Sequence, residues 1–283
     1  MSPETSSGQH LCMGFGRRFA SRASLFLLAQ LAVFSSPAQA QENTLRPTEL
    51  QSYQWRDLGP AVTSGRITAF AVRPDDANTI FAATASGGAW KTENGGTTWR
   101  PVFHEEGSVS LGAITLDPSN PDVVWVGTGE QNSVRSSSFG DGVYRCVDGG
   151  ETWEHMGLRE RRHVGRILIH PDNPDVVFVA AMGSLWGPNP ERGVFRTEDG
   201  GQSWEHVLSI DEDTGCSDIA MDPGDPNILY AAMWRFRRSA DFFTSGGPGS
   251  GLHKSTDGGA TWTELRNGLP AGELGRIAIA VPP

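Results

Sequence analysis

One nine-residue pattern recurs four times in this chain, and each copy ends in tryptophan. The copies are KTENGGTTW (Lys91–Trp99), RCVDGGETW (Arg145–Trp153), RTEDGGQSW (Arg196–Trp204) and KSTDGGATW (Lys254–Trp262). Their closing tryptophans lie 54, 51 and 58 residues apart. A motif that recurs at a nearly regular spacing of some tens of residues is typical of a propeller or another repeat array. The repeat therefore constrains the fold more than any other feature of the sequence.

Each copy has the chemistry of a tight β-hairpin. The Gly-Gly pair supplies positive φ angles, and the side chain before it can accept hydrogen bonds from the amides of the turn. Those side chains are Asn94, Asp148, Asp199 and Asp257, and the tryptophans predicted to pack over the turns are Trp99, Trp153, Trp204 and Trp262. Because the same side chains recur in all four turns, we predict that they are structural rather than catalytic.

Apolar strands alternate with turns rich in Pro, Asp and Asn between these hairpins. The first repeat reads ITAFAV (Ile67–Val72), then RPDDAN, then TIFAAT (Thr79–Thr84). Four strands per repeat, with the inner two nearly all apolar, are typical of a propeller blade. The predicted fold class is all-β, an open, partial β-propeller of four complete four-stranded blades plus one strand, Gly275–Val281. The blades are predicted at about residues 65–103, 110–156, 163–208 and 216–266, with a fifth starting at 275.

The predicted strands do not close a ring. Tyr53–Leu58 resembles the outer strand that follows a hairpin, and the sequence stops after the first strand of the fifth blade. We therefore expect the N-terminal piece of a longer protein, with the remaining blades of that protein as its partners. The alternative is a short chain that closes by oligomerisation, but exposed blade edges are prone to aggregation.

The first 40 residues predict a signal peptide rather than part of the fold. A basic start is followed by the short apolar run Ala23–Phe34 and by Ala38-Gln39-Ala40, an A-x-A cleavage site. The mature chain would begin near Gln41 and be periplasmic or secreted, with Met13 as an alternative start. The apolar run is too short to span a bilayer, so we do not expect an integral membrane protein.

The charge and the cysteines narrow the classes of partner and site. A net charge of −10 argues against a nucleic acid as a partner, because binding nucleic acid needs a basic surface.

Cys146 and Cys216 lie in different repeats; a disulfide is one interpretation, and two free buried thiols are the preferred one. The histidines and cysteines lack metal-binding spacing, so the sequence predicts no metal, no cofactor and no catalytic residue.

Candidate ligand-binding residues lie at one mouth of the predicted channel. Gly-Arg-Ile begins three inner strands, so Arg66, Arg166 and Arg276 could bind an anionic group. The preferred alternative is that each arginine pairs with a neighbouring acid such as Glu130 or Asp218. The loops expected on the same rim add Arg135, Trp186, Trp234 and Arg237 to the candidates, together with Glu130 itself. Aromatic and arginine side chains together favour a peptide or sugar, while packing between loop and blade is the structural alternative.

The hairpins resemble Asp-boxes. Across Tyr53–Pro283 the chain resembles bacterial sortilin-like propellers with bacterial neuraminidase repeats, which are often labelled glycosyl hydrolases. The segments that carry the resemblance are GTGEQN (Gly127–Asn132), FGDGVYR (Phe139–Arg145), GSLWGPNPERGVFRTEDGG (Gly183–Gly201) and SGGPGSGLHKSTDGG (Ser245–Gly259). The resemblance implies a longer protein, and sortilin-type propellers bind peptides in their channel.

Two enzyme families share the boxes. Propellers of the xyloglucanase type are similar in carrying T-D-x-G-G-A-Y in the first blade, but Thr84–Trp90 reads TASGGAW and has Ala85 in place of the catalytic Asp. Sialidases need Arg-Ile-Pro, and here Thr68 follows Arg66-Ile67. We therefore predict a secreted, non-catalytic propeller scaffold that binds protein, peptide or glycan. The alternatives are a glycoside hydrolase completed by further C-terminal blades and an assembly factor for an envelope complex.

Overall fold

The computed structural model describes residues 66–282, which form four antiparallel sheets of consecutive strands. The described residues are therefore an open, partial β-propeller of four blades, as the sequence predicted. The first sheet contains β1 (Ile67–Val72), β2 (Ile80–Thr84), β3 (Ala89–Thr92) and β4 (Arg100–Phe103), and the second β5 (Leu111–Leu116), β6 (Val124–Thr128), β7 (Val143–Cys146) and β8 (Glu154–His155). The third contains β9 (Val164–His170), β10 (Asn173–Ala181), β11 (Gly193–Thr197) and β12 (Glu205–Leu208), and the fourth β13 (Thr214–Met221), β14 (Leu229–Arg238), β16 (Gly251–Ser255) and β17 (Thr263–Leu265), with β15 (Phe243–Ser245) paired to β14. One 3₁₀ turn, Arg159–Arg161, precedes β9.

The hydrophobic core lies between neighbouring sheets. One buried cluster joins Trp125 of β6 to Val164 and Val179 of the third sheet, and another joins Phe81 of β2 to Val124 of β6. A third cluster joins the third and fourth sheets. Because their inner strands have apolar residues on both faces, the second and third sheets bury one face against the preceding blade and the other against the next, whereas Ile67, Phe70 and Val72 of β1 are exposed.

Hydrogen bonds within nine residues fix each repeated hairpin. In the fourth copy, Asp257 Oδ1 accepts from the Thr261 amide at 2.9 Å and from Ser255 Oγ at 2.8 Å, and Ser255 Oγ in turn accepts from the Gly259 amide at 2.9 Å. Asn94, Asp148 and Asp199 occupy the same position in the other copies. In the second copy the thiol of Cys146 replaces the hydroxyl group.

In the second, third and fourth hairpins, the second glycine brings its turn against the preceding blade. A Cβ on Gly259 would lie 2.6 Å from Phe178 Cε1, and a Cβ on Gly201 would lie 2.8 Å from the Trp125 ring. Both glycines have positive φ, of +82° and +96°. The Gly-Gly pair therefore serves the turn conformation and the packing between blades together.

The four repeat tryptophans divide into two groups. Trp99 and Trp262 donate to carbonyls of their own turns, Gly96 and Gly259, as the prediction of packing over the turn implies. In contrast, Trp153 Nε1 donates to the Val102 carbonyl at 2.6 Å and Trp204 Nε1 to the Met156 carbonyl at 2.7 Å. These two indoles connect their blade to the preceding one, a role that the local pattern did not predict.

Several predicted segments differ from their observed form or lie outside residues 66–282. β14 continues to Arg238 and pairs with β15, so Trp234 and Arg237, which were predicted to lie in a rim loop, belong to a strand of a hairpin. Residues 275–281 run beside β13 without forming strand pairs; Ile279 N donates to Asp218 Oδ2. Cys146 and Cys216 are free and buried. The predicted signal peptide, the strand Tyr53–Leu58 and Gly65 lie outside the described residues.

No helix among residues 66–282 is long and apolar enough to cross a membrane. Within the same range, no group of three or more His, Cys, Asp or Glu side chains is arranged to hold a metal ion.

Candidate functional site

A cavity of about 730 Å³ lies where the first strands of the four blades meet. Its walls are β1, β5, β9 and β13, together with residues 276–278. Each of these strands is the edge strand that begins its blade, so their free edges face the central axis of the propeller. The polar side chains with reach into the cavity include Gln131, Arg166, Asp218 and Arg276.

Gln131 joins three parts of the chain across this cavity. Its Nε2 donates to the Gly112 carbonyl at 3.0 Å and lies 3.5 Å from the Thr68 carbonyl. Its Oε1 accepts from Arg276 Nη2 at 2.9 Å. Sequence reasoning missed Gln131, although it follows Glu130 directly in the segment GEQN. The amide thus fixes a rim loop to the first two blades and to the segment that contains Arg276.

Arg66 and Glu130 form an ion pair with two contacts. Arg66 Nε and Nη2 donate to Glu130 Oε1 and Oε2 at 2.8 and 2.6 Å, and the Glu130 side chain is fully buried. Burial alone would raise the pKa of Glu130, but hydrogen bonds from Arg66 and Ser137 outweigh it and hold the pKa below its ordinary value. A buried, ionised and paired carboxylate is a structural anchor rather than a proton donor.

Arg166 and Asp218 form a looser pair on the cavity wall. Arg166 Nε lies 3.9 Å from Asp218 Oδ1, and the arginine side chain is 55% exposed. Asp218 also accepts hydrogen bonds from the amides of Ile219 and Ile279, at 3.0 and 2.9 Å. Arg66 therefore pairs with Glu130 and Arg166 with Asp218, the two acids that the sequence offered as structural partners for these arginines.

Two carboxylates line the cavity, and they differ in what they can do. Asp117 is 3% exposed, and its Oδ1 accepts from Ser119 and Asn120 within the turn after β5. Asp218 is partly exposed and faces the cavity beside Arg166. Of the acids that line this cavity, Asp218 is therefore the one available to a ligand.

Ala85 stands where propellers of the xyloglucanase type carry the catalytic aspartate, and it is buried. Its side chain is buried, with 1% exposure, and its amide donates to the Arg66 carbonyl at 2.9 Å. The first blade thus supplies no carboxylate at that position.

The remaining predicted ligand-binding residues lie outside the central cavity, and two of them, Trp186 and Arg237, line a separate cavity on the rim. Trp186 is 49% exposed, Arg135 is exposed, and Arg237 forms an ion pair with Asp213. Trp234 is instead 3% exposed, because it packs against Phe236 and Phe243 within a small cluster of its own. Its ring is therefore part of the core between the loops.

The comparisons with known proteins point to propellers and to glycan-active enzymes. Residues 141–273 match the family described as Sortilin, neurotensin receptor 3. A xyloglucanase from Paenibacillus sp. is 24% identical over 88% of this chain and 25% of its own length. The xyloglucanase Xgh74A of Acetivibrio thermocellus is 25% identical over 91% of this chain and 32% of its own length. The chain thus spans about a quarter to a third of these curated relatives.

Among solved structures, an ancestral GH74 enzyme superposes with a TM-score of 0.56 at 20% identity, over 72% of this chain and 26% of that one. This likeness supports the propeller fold. The sequence matches add a resemblance to the propellers of glycosyl hydrolases. The prediction of a non-catalytic scaffold was therefore wrong, because the curated relatives that match most of the chain are xyloglucanases. The glycoside hydrolase alternative agrees better with these relatives.

Proposed function

We propose that this chain is part of a glycoside hydrolase that acts on a β-linked plant glucan of the xyloglucan kind. The observation that carries the proposal is the match to xyloglucanases over 88–91% of the chain. The central cavity, about 730 Å³ and lined by strands of every described blade, is large enough for a short oligosaccharide segment. A protein or peptide ligand is the alternative to a glycan in this cavity.

Asp218 is the proposed catalytic carboxylate of the described blades. Glycoside hydrolysis generally uses two carboxylates that flank the scissile bond, one to protonate the leaving oxygen and one to activate water or attack the sugar. Asp218 faces the cavity, and Arg166 and two backbone amides fix its position. Glu130 is excluded from this role because its carboxylate is enclosed and bonded to Arg66.

The second carboxylate is proposed to lie on a part of the protein outside residues 66–282. Ala85 stands where the first blade could have supplied a carboxylate, no acid among the described residues of that blade lines the central cavity, and the matched relatives are three to four times longer than the segment they share with this chain. We accordingly propose that the chain belongs to a longer propeller protein, that its repeated hairpins are Asp-boxes, and that it is exported to the periplasm or secreted. A polysaccharide too large to enter a cell requires an exported enzyme.

The test uses the protein as its natural gene encodes it, and an Asp218→Asn variant. Release of oligosaccharides from xyloglucan is measured by mass spectrometry, and binding is measured by retardation in gels that contain xyloglucan. We expect the parent protein to bind and cleave, and D218N to bind but to cleave at least about 100-fold more slowly. Asp172→Asn, in the exposed turn between β9 and β10, is the control.

Absence of both retardation and product from the parent protein would overturn the hydrolase proposal. Equal cleavage by D218N and D172N would remove Asp218 from the catalytic role.

A further inference from the structure

A second cavity, of about 510 Å³, lies on the rim of the fourth blade. It exists because β14 continues past its sheet and pairs with β15, with Arg237 opposite Thr244 and Arg238 opposite Phe243. Arg235, Arg237 and Arg238 all line this rim cavity, in a chain whose net charge is −10. A concentration of arginines in an acidic protein is a feature that packing alone does not require.

The positive charge at the rim cavity exceeds the negative charge around it. Asp213 is the acid that lines the cavity, and it pairs with both Arg235, at 3.6 Å, and Arg237. Arg238 Nη2 donates a hydrogen bond to the Ser133 carbonyl at 2.8 Å, so the partner of Arg238 is neutral. One carboxylate therefore faces three guanidinium groups.

Arg192 adds a fourth positive charge behind the cavity. Its side chain is fully buried, 4.3 Å from the Phe236 ring, and it donates to the carbonyls of Asp213, Ser184 and Gly187. Burial lowers the pKa of Arg192 to about 10, so it remains charged at neutral pH. Asp211 interacts with Arg192 and Arg235 as a second carboxylate, so four guanidinium groups meet two carboxylates here. The Nε atoms of Arg192 and Arg238 are buried without a hydrogen-bond partner in the described structure. A bound anion would offset this surplus of charge.

Two exposed aromatic rings border the same cavity. Trp186 is 49% exposed and Phe242 is 57% exposed, and both line it. Large aromatic rings left open to solvent beside convergent polar groups are typical of a binding site. A flat ring of this kind accommodates the face of a sugar, whereas a small inorganic anion would leave it uncovered.

We propose that the rim cavity binds a carboxylate-bearing sugar, a uronosyl residue of an acidic polysaccharide. The carboxylate would be held by the guanidinium groups of Arg235 and Arg237, which are suited to bidentate contacts, and the sugar ring would lie on Trp186. The choice of a sugar over another carboxylate rests on the proposed glycan-active function. The enzyme would thereby recognise an acidic glycan beside its neutral substrate.

The test is isothermal titration calorimetry of the full-length protein with trigalacturonate, its methyl ester and neutral cellotriose. We expect the acidic trimer to bind at least about 10-fold more tightly than the ester or the neutral trimer, and its affinity to fall with added salt. The double variant Arg235→Gln, Arg237→Gln should lose at least about 10-fold in affinity for the acid. Trp186→Ala should weaken it several-fold, and Asp213→Asn should strengthen it by removing the competing carboxylate.

Arg266→Gln is the matched control, because Arg266 is 81% exposed and pairs with Glu264 away from the cavity. Equal affinity for the acidic and neutral trimers, or equal loss in R266Q and in the double variant, would overturn the proposal. Tighter binding of a peptide with a free C-terminal carboxylate, insensitive to W186A, would assign the site to peptides and also overturn it. Failure of xyloglucan cleavage with intact trigalacturonate binding would count against the proposed function alone.

Discussion

Arg66 and Glu130, 64 residues apart, form an ion pair that joins the first two blades. Arg66 precedes β1, Glu130 follows β6, and the carboxylate is fully buried while the arginine side chain is 41% exposed. Ser137 Oγ and Asn132 Nδ2 also donate to the Glu130 carboxylate, at 3.1 and 3.3 Å. Loss of the arginine would leave these two neutral groups to stabilise a buried charge.

We expect Arg66→Ala to lower the free energy of unfolding by about 3 kcal/mol, because an uncompensated buried carboxylate is costly. Urea denaturation followed by circular dichroism measures this. Arg73→Ala is the control: its partners Asp75 and Asp122 are 58% and 54% exposed, so its loss should cost less than about 1 kcal/mol. A similar cost for the two variants would contradict the structural role of the Arg66–Glu130 pair.

His163 should make the protein less stable in mild acid. The residue is 4% exposed, its Nδ1 lies 2.9 Å from the Glu130 carbonyl, and burial lowers its pKa to about 4. Between pH 6.5 and 4 the unfolded chain binds a proton that the folded chain does not, so stability falls as the pH drops. The loss attributable to this imidazole approaches about 3 kcal/mol at pH 4.

The comparison is urea denaturation at pH 7.0 and pH 4.5 for the parent and for His163→Gln. The variant should lose less stability between the two pH values than the parent. His170→Gln, which removes a partly exposed imidazole at the end of β9, controls for the general effect of losing a histidine. An equal drop in the parent and in H163Q would rule out this imidazole as the source.

The two glycines of the fourth hairpin should differ in their tolerance of alanine. Gly258 and Gly259 both have positive φ, +68° and +82°, but a Cβ on Gly258 meets Asn227 Oδ1 at an ordinary 3.6 Å, while one on Gly259 lies 2.6 Å from Phe178 Cε1. Gly258→Ala should cost about 1 kcal/mol from the backbone alone. Gly259→Ala should cost about 1–3 kcal/mol more, because the collision forces the blades apart. Thermal unfolding of the two variants measures the difference, and equal melting temperatures would refute the interblade contact.

Asp257 should contribute to stability only when it is ionised. Hydrogen bonds from Thr261 and Ser255 lower the pKa of Asp257 to about 2, below the ordinary value of about 4. Its contribution is therefore complete above pH 4 and is lost as the pH falls towards 2. Asp257→Asn copies the first hairpin, where Asn94 accepts the same amide bond, so the variant should fold and its melting temperature should fall less steeply between pH 4 and 2. The exposed-turn variant D172N is the control. If the melting temperature of D257N fell between pH 4 and 2 as steeply as that of the parent or of D172N, this assignment would be contradicted.

The repeated hairpins and the strands between them were predictable from the sequence because their interactions are local. Each hairpin is fixed by bonds within nine residues, as between Asp257 and Thr261, and β1 was predicted with its observed bounds, Ile67–Val72. Apolar runs on both faces required sheets covered on two sides. From these features alone, the repeat determined four sheets and their order.

The candidate site depended on the tertiary structure. Gln131 meets Arg276, 145 residues away, and Arg238 meets Ser133, 105 residues away, through loops that carry no repeat. Trp234 looked like a rim residue because it follows an apolar strand, but the continuation of β14 into a second hairpin buries it. A repeat determines the turns and strand pairs within each blade, because these join residues that are close in sequence. Which side chains meet across the channel depends on how the blades stack, and only the folded chain decides that.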